Sequence, residues 1–219
     1  MKVNTDGVLL GVLVDVKQPS RILDIGTGTG VIALILAQRF PSADITAVEI
    51  DEGAASAAKD NFSESVFSDR LQAVHSSFTS YFQRDNLGKC DLIISNPPFF
   101  IDSLRSNDVL KGVARHTDQM FFETLIRESA LNLQTEGVLA FIIPLRLSAL
   151  LQKLAAEVGL NLQKKISICS FPNSVPHREI LVLGFKEQKI ELAKFVIYAE
   201  PKEYSSEYRA ILKDFLTIF

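Results

Sequence analysis

The sequence predicts an α/β fold. It should hold a mostly parallel sheet of seven or slightly more strands, helices on both faces, and an antiparallel edge. Three observations carry this. Short β-rich runs alternate with helical stretches through most of the chain, as right-handed β-α-β crossovers require. A glycine-rich segment, Gly26-Thr27-Gly28-Thr29-Gly30, joins the first of these runs to a helix. Late in the chain, strand-like segments follow one another with only turn residues between, which reads as an antiparallel edge.

The elements follow in order. Asp6 is placed to cap a short helix over 7–16, with Val8, Leu9, Val12 and Leu13 on one stripe. Residues 21–25 form the first strand. Residues 31–40 are apolar nearly all round, hence a buried helix, and Pro41 lies just beyond its end. A second strand spans 44–49, an alanine-rich helix 52–62, a third strand 71–75 and a fourth 90–95. An amphipathic helix over 119–133 leads to a strand at 137–143 and a helix at 148–158. Strands at 162–170, 179–186 and 192–198 close the sheet, with turn signals at Pro172, Asn173 and Pro176. The tail 205–216 reads as helical. No repeat or linker divides the 219 residues, so one domain over 1–219 is expected.

Composition removes several classes of function. A net charge of −3 gives no overall basic character of the kind that advertises nucleic acid, although a local patch remains open. The two cysteines, Cys90 and Cys169, lie in strand-like contexts without metal-ligand spacing, so reduced thiols in a cytoplasmic protein are expected, and no metal. The start, MKVNTDG, lacks the charged-then-apolar order of a secretion signal, and apolar runs such as 138–145 are too short to span a bilayer. The abrupt start reads as a chain lacking some N-terminal lead-in residues.

Two motifs carry chemistry. In Asp24-Ile25-Gly26-Thr27-Gly28-Thr29-Gly30 the glycines permit positive φ and close backbone approach, and the following helix offers free N–H groups. The first βα turn of such a sheet is where a nucleotide-like cofactor lies, and Glu49 at the end of the second strand can accept ribose hydroxyls. No Gly-Lys-Ser/Thr follows, which disfavours a P-loop; a plain tight turn remains the bland alternative. At the end of the fourth strand stands Asn96-Pro97-Pro98-Phe99-Phe100. Prolines end a strand, but here they also stiffen a row of acceptors. An exocyclic amine on a base is a poor nucleophile because its lone pair is delocalised. The Asn96 side-chain oxygen and the Pro97 carbonyl can accept its two N–H bonds and favour a pyramidal nitrogen. Phe99 can stack on an extruded base, with Phe100 beside it. No general base is needed before transfer, because the proton leaves once the amine is cationic.

The glycine loop with its upstream acid resembles motif I of class I S-adenosylmethionine (SAM) methyltransferases, and Asn-Pro-Pro-Phe resembles the signature of enzymes that methylate planar nitrogens. The start, Lys2-Val3-Asn4-Thr5-Asp6-Gly7-Val8-Leu9-Leu10-Gly11, resembles the K-V-G-T-D-G-V-L-L-G segment of bacterial tRNA-Val (adenine-37-N6)-methyltransferases. Ala114-Arg115-His116-Thr117 and the tail from Tyr204 to Phe215 add to that likeness, which covers the whole chain. One departure is Asn4 for Gly; Asn is the next residue most tolerant of a left-handed backbone.

The resemblance implies a Rossmann-like class I methyltransferase, with tRNA, in particular tRNA-Val, as substrate, SAM as cofactor, and a monomeric state. It places Lys2, Thr5, Asp6, Gly7, Asp24, Gly26, Thr27, Gly28, Gly30, Glu49, Ile50, Ser77, Phe78 and Asn96 around the cofactor. Asn96, Pro97, Pro98 and Phe99 are the implied catalytic set. Phe100, and Arg115 and His116 after a loop at 101–114, are candidate RNA contacts. So are His177 and Arg178 between two late strands; a solvated loop explains either pair equally well. His75 reads as structural. The same Asn-Pro-Pro motif also occurs in guanine-N2 methyltransferases of ribosomal RNA and glutamine-N5 methyltransferases of proteins. A catalytically silent SAM-binding scaffold is the remaining alternative.

Overall fold

The computed structural model describes residues 4–97 and 108–216, the side chains of 108–118 excepted. Strands β1 (Arg21–Ile25), β2 (Asp44–Glu49), β3 (Leu71–His75), β4 (Cys90–Ser95) and β5 (Leu133–Ile143) run parallel in the spatial order β3-β2-β1-β4-β5. Strands β6 (Asn161–Cys169), β7 (Arg178–Gly184) and β8 (Glu191–Val196) extend this to eight, with the order β5-β7-β6-β8 on that side. β7 runs antiparallel to both β5 and β6, and β8 parallel to β6. The antiparallel side therefore comes from one strand set between two that run the other way. A short connection forces β6 and β7 into a hairpin. Of the pair, β7 takes the inner position because Ile180, Leu181, Val182 and Leu183 are buried on both of its faces, whereas β6 carries Lys164 and Lys165.

Alternation along the central strands sorts the core into two layers. Ile22, Ile45, Leu92, Ile94, Ala140 and Ile142 face one side; Leu23, Ile25, Ile93, Leu139, Phe141 and Ile143 face the other. Helices α1 (Thr5–Leu13), α2 (Val31–Arg39), α3 (Glu52–Glu64) and, at the end of the chain, α7 (Ser206–Leu212) cover the first side. Helices α4 (Phe78–Phe82), α5 (Asp108–Asn132) and α6 (Leu145–Glu157) cover the second. A small two-stranded sheet, β9 (Tyr198–Glu200) with β10 (Glu203–Tyr204), leads into α7 and stacks Tyr198, Tyr204 and Tyr208 face to face.

Three local expectations need correction. The first helix spans Thr5–Leu13, and its cap is Asn4, whose side chain accepts the Gly7 N–H at 2.7 Å. Asp6 lies inside the first turn. Asn4 itself is extended, with φ −102° and ψ 149°, so this place asks for a capping side chain rather than a left-handed backbone. The helix expected over 119–133 begins at Asp108, so 108–114 is helix rather than loop. Gly112, a poor helix former, obscures this in the sequence. Among the described residues, no helix is long and apolar enough to cross a membrane, and no cluster of His, Cys, Asp or Glu is set to hold a metal. Both cysteines are free and buried.

Candidate active site

The carboxyl ends of β1, β2 and β4 open into a cavity of about 900 Å³, within the range of a cofactor pocket. Its floor is the glycine loop. Gly26, Gly28 and Gly30 all have positive φ, at 73°, 60° and 89°. At Gly30 a second constraint applies: a Cβ there would lie 2.4 Å from the Phe62 ring of α3. At Gly26 a Cβ would meet nothing within 4 Å, because the loop faces open space. Gly30 caps α2 without a side-chain hydrogen bond, so no capping side chain covers the start of that helix.

Glu49 holds the loop in place. One carboxylate oxygen accepts the Gly28 N–H at 2.8 Å; the other accepts those of Ile50 and Asp51 at 2.8 and 2.9 Å. The Gly26 and Thr27 N–H groups donate to the Val48 carbonyl at 2.8 and 3.2 Å. The expected ribose acceptor is thus also the brace of the loop, accepting from three backbone N–H groups. His75 stands where a structural residue was expected, with Nε2 at 3.1 Å from the Ile50 carbonyl.

Asp24 lies beneath the loop, fully buried. Thr27 Oγ1 donates to its Oδ2 at 2.5 Å, while Oδ1 is buried without a hydrogen-bond partner. Burial above all, and then the nearby Glu49 charge, push the Asp24 carboxyl up to about 7, against the pull of the Thr27 hydrogen bond. Asp24 does not itself line the cavity; it underlies the loop through Thr27, which does. The lining itself suits the parts of SAM. Ile50, 71% exposed, Ser77 and Phe78 line one end, where an adenine ring needs apolar surface. Phe121 of α5 joins them, edge-on to Phe78 at 5.5 Å.

Asn96 and Pro97 line the opposite end of the cavity with Asn4, Gly7 and Ser95. Ser95 Oγ donates to the Ile25 carbonyl at 2.8 Å, tying the end of β4 to the start of the glycine loop. The Asn96 side-chain nitrogen points at Asn4 Oδ1, 3.4 Å away. Asp6 and Arg178, assigned from sequence to cofactor and RNA, meet each other: Arg178 Nε donates to Asp6 Oδ2 at 2.7 Å, and both line the pocket. His177 is exposed at the same edge, its pKa lowered by partial desolvation and by the Arg178 charge. Thr5 opens α1, exposed and outside the pocket lining. Lys2, Pro98, Phe99 and Phe100 lie outside the described residues, as do the side chains of Arg115 and His116, whose backbone belongs to α5. Sequence reasoning missed Asn4 and Phe121 as residues of the cavity.

A glycine loop braced by an acid and an asparagine amide thus share one cavity. The chain belongs to the methyltransferase small domain family, which it matches over residues 5–159, and it is a SAM-dependent methyltransferase. Among curated relatives, a tRNA1(Val) (adenine(37)-N6)-methyltransferase from Pedobacter heparinus is 43% identical over 219 residues, covering 100% of this chain and 92% of that protein. One of the same name from Bacteroides thetaiotaomicron is 38% identical over 216 residues, covering 98% and 90%. Among solved structures, a predicted O-methyltransferase from Agrobacterium tumefaciens has a TM-score of 0.70 at 18% identity, covering 95% of this chain and 96% of that one; this likeness speaks for the fold alone.

Proposed function

We propose that this methyltransferase methylates N6 of an adenine in tRNA, namely adenine-37 beside the anticodon of tRNA-Val. The observation that carries the reading is the placement of Asn96 and Pro97 at the end of β4, inside the same cavity as the glycine loop. Full-length similarity to enzymes named for that reaction supports the substrate. When bound, SAM supplies an electrophilic methyl group on a sulfonium.

The chain's own residues do the rest. Asp24, Gly26, Thr27, Gly28, Gly30, Glu49, Ile50, Ser77 and Phe78 hold the cofactor. The Asn96 oxygen and the Pro97 carbonyl accept the two N–H bonds of the adenine amine and aim its lone pair along the transfer direction. Positioning of this kind carries much of the rate when no base is required. Pro98 and Phe99 complete the catalytic set, with Phe99 as the stacking surface for the base. Phe100, Arg115, His116 and His177 are the proposed RNA contacts, while Arg178 serves through Asp6. The protein works as a single domain and a monomer in the cytoplasm.

The test is methyl transfer from labelled SAM to total tRNA and rRNA of a deletion strain, followed by nucleoside analysis. N6-methyladenosine in tRNA-Val is the expected product. N2-methylguanosine in rRNA, or label in protein, overturns the substrate.

A further inference from the structure

A carboxamide has two ends of nearly equal size and opposite hydrogen-bonding character. For the proposed chemistry the Asn96 oxygen must face the substrate amine and its NH₂ must face elsewhere. The side chain nearest to that amide across the cavity rim is Asn4, the residue at which this chain departs from the segment it resembles.

The logic runs from the backbone outward. The Gly7 N–H can only donate, so the Asn4 atom that it meets at 2.7 Å is the oxygen. That same oxygen lies 3.4 Å from one end of the Asn96 amide. Two oxygens facing each other would repel, so the Asn96 end at this point is the nitrogen. The Asn96 oxygen is thereby turned away from α1. Gly7 leaves the room for this meeting: a Cβ on it would lie 3.1 Å from Asn4 Oδ1 and 3.6 Å from Asn96 Nδ2. All three residues line the cavity. The Asp6–Arg178 pair, two residues further on, ties the same first turn of α1 to β7.

We propose that Asn4 is a positioning residue, whose capping oxygen sets the orientation of the Asn96 amide. What the Asn96 oxygen then does rests on the adenine-amine reading; how it is oriented does not. Two variants separate capping from orientation. Asn4→Ser keeps a good helix cap but withdraws the acceptor by one bond from Asn96. Asn4→Asp keeps an acceptor for both partners. The measurements are kcat and KM on tRNA, SAM affinity, melting temperature, and the side-chain amide resonances of Asn96, assigned by their loss in Asn96→Ala. Asn4→Ser is expected to lower kcat by about 10- to 100-fold, with melting temperature and SAM affinity near those of the parent and with shifted Asn96 resonances. Asn4→Asp is expected to recover most of the rate and the parent resonances. Equal rates in the Ser variant and the parent, or an Asp variant as slow as Ser, overturn the proposal. If the parent methylates no adenine, the functional reading fails, and the resonances decide alone. A shift in Ser but not Asp then supports the proposal, and the same positions in all three overturn it.

Discussion

Replacing Asp24 with Asn should stabilise the protein, and by an amount that depends on pH. The Asp24 carboxyl is pushed up from its usual 3.8 to about 7, mainly by burial. Between those values the folded chain holds a proton that the unfolded chain has released. Stability of the parent therefore falls as pH rises through that window and stays low above it. Each pKa unit is worth about 1.4 kcal/mol, so the ionised Asp24 costs the fold on the order of 4 kcal/mol. Asn removes that cost but leaves a buried N–H where Oδ1 now has no partner, a penalty of about 1–3 kcal/mol. That penalty does not vary with pH. The decisive quantity is thus the change in the stability difference between about pH 5 and pH 7, on the order of 2 kcal/mol in favour of the variant. Urea unfolding followed by circular dichroism at several pH values measures it; the chain has no tryptophan to report otherwise. A difference that stays flat with pH refutes the reasoning, because Asp24 would then not titrate in this range. SAM affinity should move the opposite way, with the variant binding more weakly at about pH 8, since a neutral amide offers less to a cationic ligand.

Other expectations are independent of this one. Asn96→Ala should leave SAM binding nearly intact while turnover collapses by about 100-fold or more; equal loss of both removes its assigned role. Gly30→Ala combines a φ of 89° with a Cβ inside the Phe62 ring, and should lower stability by about 2–3 kcal/mol; an unchanged melting curve contradicts the packing described. Arg178→Met cuts the tie to Asp6, a partly exposed pair worth about 1 kcal/mol. SAM affinity, read by calorimetry, should fall more noticeably than melting temperature. Burial pushes the Cys90 thiol up to about 11, so a thiol reagent at about pH 8 should modify it only in denaturant; rapid labelling of the native protein at Cys90 counts against its burial.

The parallel half of the sheet was legible because β1 to β4 are short apolar runs bounded by strong turn and helix signals, and their limits match the sequence reading. Helix α4 was not, because five residues, Phe78–Phe82, are too few to show a helical period. The inner place of β7 is a competition between two strands for burial, decided by side chains far apart in sequence. In the site, the glycine loop and Asn96-Pro97 announced themselves by residue type. Asp6 was misread as the cap because an acid near a helix start is a sound local signal. Its true partner, Arg178, is 172 residues away and leaves no local trace. Asn4 was weighed for its backbone tolerance, when the structure uses its side chain for two partners at once.

The Asp6–Arg178 tie also sets an order on biosynthesis. Domains fold as the N-terminal part emerges first. Loop 24–30, Glu49 and Asn96 all leave the ribosome before β7, which brings Arg178, the partner of Asp6 on α1. Until β7 arrives, β5 presents an unpaired parallel edge, and β7 must then enter between it and β6. The nascent chain thus carries every glycine of the loop while β5 still presents an open edge, and the last strands of the sheet both cover that edge and bring the charge that meets Asp6.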